Sequence, residues 1–307
     1  MPNLTQPVAR IDQVVEYRNR ILDALDEGVS FQPLMTLYLT GETTPEQILE
    51  AKKSGIVQAI KMYPAGATTN SEAGVSDIWQ KEAVFEIMQE IGMTLSIHGE
   101  VVDHDIDIFD REKVYIDRVL QKLVKRFPAM RIVLEHLTTN EAVDFVLETP
   151  AHISGTITVH HLLYSRNDLL VGGIKPHLYC LPIVKTEKDR TCLVKAATSG
   201  NPKFFLGTDS APHSQVDKEA KAGKAGIYSA PVALPLCAEL FEKEDRLDYL
   251  EAFCSFHGAD FYCLPRNSQF ITLKKEKMTI PESYPFGKQR IIPLKAGETI
   301  SWKLDGE

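Results

Sequence analysis

Short apolar runs that keep returning, with helical patterns between them, constrain this chain more than any other feature. The runs are "FQPLMTLYL" (31 to 39), "IVQAIKMY" (56 to 63), "MTLSIHGE" (93 to 100), "MRIVLEHL" (130 to 137), "HISGTITV" (152 to 159) and "KFFLGTDS" (203 to 210). Between them, "TTPEQILEAKKSG" offers Thr44 as a cap, Pro45 for the first helical position, Gln47 to complete a capping box and Gly55 as a stop. "KEAVFEIMQEIG" (81 to 92) carries apolar residues at the helical period and a closing glycine, and "VYIDRVLQKLVKRFP" (114 to 128) is amphipathic and stopped by Pro128. Apolar runs alternating with helices are the mark of βα units around a parallel sheet. Periodicity alone leaves a (β/α)8 barrel and an open doubly wound sheet both standing.

The polar residues at the ends of the runs separate the two. Open sheets gather their ligand groups at one switch point, often with a glycine-rich phosphate loop, whereas barrels draw catalytic residues from the C-terminal ends of several strands. No GxGxxG or P-loop pattern occurs, while Lys61, His98, His136 and Asp209 each close a different run. The expected fold is therefore an α/β barrel.

Composition narrows the partners. A net charge of -8, with no Lys/Arg-rich block, argues against a nucleic-acid or anionic-membrane surface and for a small-molecule partner. Cys180, Cys192, Cys237, Cys254 and Cys263 are scattered and show no CxxC spacing, so they read as reduced thiols of a cytoplasmic protein. The opening "MPNLTQPVAR" has no signal-peptide core, and no run of about 18 apolar residues is present, so no membrane role is expected.

Taken singly, the four polar residues have ordinary explanations. A histidine beside an apolar run is usually a hydrogen-bonded core or rim residue, and an Asp after a strand is commonly the cap of the next helix. Together, two histidines and a carboxylate suit a divalent transition metal such as zinc. Lys61 is the odd member, because an ammonium would repel a dication. Either it forms a buried salt bridge, with Glu100 or Asp209, or its neutral amine takes up carbon dioxide to become an anionic carbamate able to bridge two metals.

The stretches "KMYPAGATTN", "IHGEVVDHDIDIFDRE", "LEHLTT", "GGIKPHLYCLPIVK" and "FFLGTDSAPH" resemble the motif blocks of class II dihydroorotases, in the amidohydrolase superfamily. The similarity runs from "MPNL" to "PLKAGETISW", nearly the whole chain. The resemblance implies a single amidohydrolase-type TIM barrel over residues 1–307, with about 40 C-terminal residues as an appended extension. It further implies a homodimer and reversible cyclisation of N-carbamoyl-L-aspartate to L-dihydroorotate in pyrimidine biosynthesis. Two zinc ions would be bridged by carbamylated Lys61, with His98 and His136 on one metal and Asp209 on the other, where Asp209 is also the catalytic acid and base. Asn3, the backbone of Leu181, His213 and the backbone around Ala225 match substrate-holding positions, and Thr68 and Thr69 match the tip of a loop that closes over the substrate.

The chain departs from the family at one point. The remaining zinc ligands of the family form an HxH motif on the first strand, followed by a substrate-binding arginine, and no HxH is present here. "MPNL" matches the end of the family's second strand, so the first strand and most of the second are expected to be absent, leaving six strands, a stub at Met1 to Leu4, and one zinc where the family has two. A hydantoinase- or allantoinase-type amidohydrolase, and a catalytically impaired scaffold that binds a partner, are the alternatives. Among other residues, His160, His161 and His177 lie near run ends and could line the pocket. His104, His152 and His257 read as structural or solvent-facing, and "KEAKAGKAG" (218 to 226) reads first as a solvated loop.

Overall fold

The computed structural model describes residues 2–305. Met1 of the expected stub, and the final Gly306 and Glu307, lie outside the described residues. The chain divides into two compact units, Met1–Leu134 and Glu135–Glu307.

The first unit holds four parallel strands in the order β1 (Met35–Leu39), β2 (Val57–Met62), β3 (Thr94–Ile97) and β4 (Ile132–Leu134). Leu37, Leu39, Ile60, Met62, Leu95, Ile97 and all three residues of β4 are buried, so successive side chains pointing to opposite faces are both covered. That two-sided burial explains the unbroken apolar runs. Register aligns Lys61 with Tyr38 on one side and Ser96 on the other, and Met62 with Ile97. Lys61 and the residue after Ile97, His98, therefore emerge together at the C-terminal ends of β2 and β3.

The helix Pro45–Lys53 has the expected capping box: Gln47 N–H donates to Thr44 Oγ1 and Thr44 N–H to Gln47 Oε1, with Gly55 at φ +70° beyond its end. Glu82–Glu90 follows the 81 to 92 reading. The 114 to 128 pattern is less regular than its periodicity suggests, being two short helices, Arg111–Tyr115 and Gln121–Arg126, joined through a π turn at Ile116–Leu120. A further helix, Ile11–Asp23, precedes β1. Pro2 to Leu4 form no strand; instead Val8 N–H donates to Pro2 O, and Tyr38 N–H of β1 donates to Val8 O.

In the second unit β5 (Ile153–Ile157) pairs in parallel with β6 (Phe204–Leu206), Thr156 opposite Phe205. The helices Val159–Leu163, Arg166–Leu170 and Glu187–Ala197 lie between them in sequence, and Gln215–Lys218, Ala233–Lys243 and His257–Phe261 follow. The C-terminal residues form three antiparallel pairs: Leu273–Lys274 with Lys303–Leu304, Met278–Thr279 with Thr299–Ile300, and Tyr284–Phe286 with Gln289–Ile291.

Every strand is shorter than its apolar run. The run at 31 to 39 loses its start, where Pro33 has no N–H to give a ladder and Phe31 and Leu34 are exposed. The runs at 130 to 137 and 203 to 210 lose their ends because His136 (φ +48°) and Asp209 (φ +41°) take left-handed backbone, which no strand continues through.

Candidate active site

In the first unit, the ends of β2 and β3 and the following loop build one connected polar group. Lys61 is 4% exposed, and its Nζ lies 4.9 Å from the centroid of the Tyr63 ring, a face that attracts a cation. Tyr63 and His98 have ring centroids 5.9 Å apart, and Tyr63 Oη donates to Asn3 Oδ1 at 3.0 Å. Asn3 Nδ2 in turn donates to the carbonyl of Thr69 at 2.7 Å. Asn3, Lys61, Thr69 and His98 are thus brought together, with Tyr63 at the centre.

His98 Nε2 and Glu100 Oε2 are 2.7 Å apart and both side chains are buried. An ionised carboxylate only accepts, so His98 Nε2 carries the proton of this bond. Glu100 Oε1 and Tyr115 Oη are buried without a hydrogen-bond partner, and both residues line a cavity of about 150 Å³ walled by Met62, Pro64, Val75 and Val119.

The loop after β2 is closed by its own bonds. Ala65 N–H donates to Val75 O, Gly66 N–H to Ser71 O, Thr68 N–H to Ser71 Oγ at 2.8 Å, and Ser71 Oγ to Thr68 O at 2.6 Å. Gly74 is required there, because a Cβ would lie 2.4 Å from Tyr63 O. Thr68 and Thr69 stand at the tip, held over Asn3.

In the second unit, His136 N–H donates to Thr156 Oγ1 at 2.7 Å and Leu137 N–H to Thr156 O, fixing the left-handed turn at His136 against the end of β5. Gly207 N–H donates to Ile157 O, and a Cβ at Gly207 would come within 2.7 Å of Thr156 Cβ, so glycine is needed two residues before Asp209. Ser210 Oγ accepts from Ser229 N–H and Ala230 N–H, pinning the turn that presents Asp209. Left-handed backbone at a non-glycine residue costs of order 1 kcal/mol or more and persists where surrounding structure enforces it, a pattern that clusters at active sites.

His213, Leu181 and Ala225 also belong to the second unit. Ala211 N–H donates to Ile227 O and Gly226 N–H to Tyr179 O, and the His213 ring packs so close to Gly226 that a Cβ there would lie 2.9 Å from Cδ2. Burial, then the charges of Lys218 and Lys224, hold the His213 imidazole below its usual pKa, so it is neutral at pH 7.

Among the described residues, His160, His161 and Cys180 bring three potential ligand atoms within 4.8 Å of one another. His161 is fully engaged, however. Its Nε2 faces Pro182 O at 2.9 Å and must carry the proton, and its Nδ1 accepts from Thr158 Oγ1 at 2.8 Å. Burial pushes its pKa down to about 3, and neither nitrogen of buried His160 has a hydrogen bond. His161 could bind an ion only by giving up a bond, whereas His98 has the carboxylate-backed form that metal-ligating histidines show.

No family model matches the chain. Over 306 residues it is 56% identical to a dihydroorotase of Nitrosomonas europaea, covering 99% of this chain and 88% of that protein. A crystal structure of dihydroorotase in complex with 5-fluoroorotic acid from Saccharomyces cerevisiae matches with a TM-score of 0.89 at 35% identity, over 99% of this chain and 88% of that one. The chain belongs to the dihydroorotase family. L-Hydantoinase from Arthrobacter aurescens shares the fold alone, at TM-score 0.78 and 16% identity over 100% of this chain and 75% of that one. Dihydroorotases are cyclic amide hydrolases of pyrimidine biosynthesis and are metal-dependent, and this chain is an enzyme of that type rather than a hydantoinase or a scaffold.

Some residues of the polar groups at these strand ends escaped the sequence. Tyr63 lies two positions beyond Lys61, just past the end of β2, and Glu100 two beyond His98, across a turn closed by Glu100 N–H on His98 O; Glu100 was legible only as a salt-bridge partner. Lys218 corrects the solvated reading of "KEAKAGKAG": it is 4% exposed. His257, read as structural or solvent-facing, is buried with Nδ1 2.9 Å from Phe204 O, and His104 is exposed. His177 pairs with Glu219 at 2.9 Å near the surface.

Proposed function

We propose that the chain catalyses the reversible zinc-dependent cyclisation of N-carbamoyl-L-aspartate to L-dihydroorotate in the cytoplasm, as a homodimer, its six parallel strands belonging to a (β/α)8 amidohydrolase barrel. The observation that carries the reading is the buried His98–Glu100 pair beside Lys61 at the ends of two parallel strands, in a chain of this family. The donor set fits zinc: a carboxylate-backed imidazole, a second buried histidine, a half-buried carboxylate and a buried amine. By motif, Lys61, His98, His136 and Asp209 would hold it.

Bound there, zinc would lower the pKa of a coordinated water to about 7 and polarise the amide carbonyl. The remaining steps fall to the chain. Asp209 takes the proton of the attacking water as its oxygen bonds to the ring carbonyl carbon, the ring C–N bond breaks, and Asp209 returns the proton to the departing nitrogen. Ring closure reverses each step and releases water. Asn3, whose amide has a second N–H beyond the one given to Thr69, His213 and the backbone at Leu181 and Ala225 would meet the substrate carboxylate. Thr68 and Thr69 would exclude solvent from it.

Lys61 enters as a carbamate: its neutral amine adds to carbon dioxide, an N–C bond forms and one amine proton leaves, giving an anion suited to bridging metal. The test is Lys61→Ala. Zinc content by elemental analysis and turnover of carbamoyl aspartate should both be lost, with partial return on adding a short carboxylic acid. Full zinc content in that variant would overturn the bridging role, and a zinc-loaded wild-type chain without turnover would sink the activity.

A further inference from the structure

Lys218 ends the short helix Gln215–Lys218 and is among the most buried lysines of the second unit. Its ammonium donates to three main-chain carbonyls: Tyr179 O at 2.7 Å, Gly226 O at 2.7 Å and Lys224 O at 2.9 Å. Three donors meet three acceptors, so its bonding capacity is filled. Two of those carbonyls flank Ala225, and the third lies two residues before Leu181. Burial pulls the amine down to about 8, still above neutrality, so the three-donor form is the one present at pH 7.

The surrounding backbone is shaped to let this happen. A Cβ at Gly223 would come within 2.6 Å of Lys218 O, and one at Gly226 within 2.7 Å of Ala211 O, so glycine is needed at both positions for the loop to wrap the ammonium. Gly226 N–H donates to Tyr179 O, joining the same two segments that the ammonium joins, and Lys224 N–H donates to Asp217 O, tying the loop back to the helix that carries Lys218. A charge at the centre of two facing loops, bonded only to carbonyls, fixes their spacing without exposing anything of its own.

We propose that Lys218 is a positioning residue for substrate recognition, its buried ammonium setting the spacing between the backbone of Leu181 and that of Ala225. The inference rests on the reading above in which those two main-chain positions face the substrate carboxylate. Lys218 would act through them and touch no reacting atom.

The experiment uses the full zinc-loaded chain with orotate as the probe, comparing wild type and Lys218→Met, which keeps the length and apolar stem of the side chain. Calorimetry should show orotate binding weakened by about tenfold or more, with zinc content unchanged. Hydrogen exchange at Gly226 and Ala211 amides should be faster in the variant. Unchanged exchange would overturn the clamp itself. Faster exchange with unchanged orotate affinity would overturn its role in recognition while leaving the clamp, and wild type that fails to bind orotate would overturn the underlying site reading. If Lys218→Met does not fold, Gly223→Ala, which presses on Lys218 O while keeping the ammonium, is read by the same two measurements.

Discussion

His98 and Glu100 stand on either side of Gly99 in a tight turn, closed by Glu100 N–H donating to His98 O at 3.2 Å, and Glu100 Oε2 fixes the protonated nitrogen of the ring. Glu100→Gln keeps the shape and an accepting oxygen but removes the charge that makes the imidazole a better ligand. Zinc affinity, measured by competition with a chelator, should fall about 10- to 100-fold while the far-ultraviolet spectrum is unchanged. An unchanged affinity would show that the carboxylate only packs. At this scale the sequence singled out Lys61, His98, His136 and Asp209 because each interrupts or closes an apolar run, where a polar residue has to be explained. It was silent on Tyr63 and Lys218, since an aromatic residue after a strand and a lysine among lysines carry no signal until burial is known.

Elements were legible wherever burial was two-sided. β1 to β6 appear as apolar runs because most of their side chains are buried on both faces, and Pro45–Lys53 carries its own punctuation. The helix Ile11–Asp23 was not singled out although its apolar residues recur at the helical period, and it buries only Val14 fully; the π turn at Ile116–Leu120 shifts register without changing composition. Strand ends were overestimated where His136 and Asp209 turn left-handed, a backbone feature that side-chain hydrophobicity does not encode. The loop after β2 tests how firmly an element is specified by one residue. Gly74→Ala would drive a Cβ to 2.4 Å from Tyr63 O, a backbone atom, so the loop closed by Val75 and Ser71 must shift. Urea unfolding should report a loss of about 1–3 kcal/mol, and dihydroorotate KM should rise as Thr68 and Thr69 move; wild-type stability in that variant would show that the loop is not held as described.

Across the whole molecule, the net charge of -8 invites the expectation that acid destabilises by protonating carboxylates, yet two buried histidines add an independent proton sink. Burial, then the neighbouring His161 and Lys218, hold His160 well below its usual pKa, and burial pushes His161 down to about 3. In the unfolded chain both titrate near 6.5. Below about 6.5 the unfolded state therefore binds protons that the folded state refuses, down to about 3 for His161, so stability is full above 6.5 and falls as the pH drops. Each such group steepens the slope by up to about 1.4 kcal/mol per pH unit. The two tryptophans allow the second unit to be followed by itself, because Trp302, whose indole N–H donates to Glu242 Oε2, is the remaining fluorophore once Trp79→Phe is made. In that background His160→Gln removes one sink and should flatten the urea-derived stability profile below pH 6 by about that amount, leaving it unchanged at pH 8. Parallel profiles for the two chains would mean that His160 is protonated in the folded state, and that Lys218 and His161 do not hold it neutral.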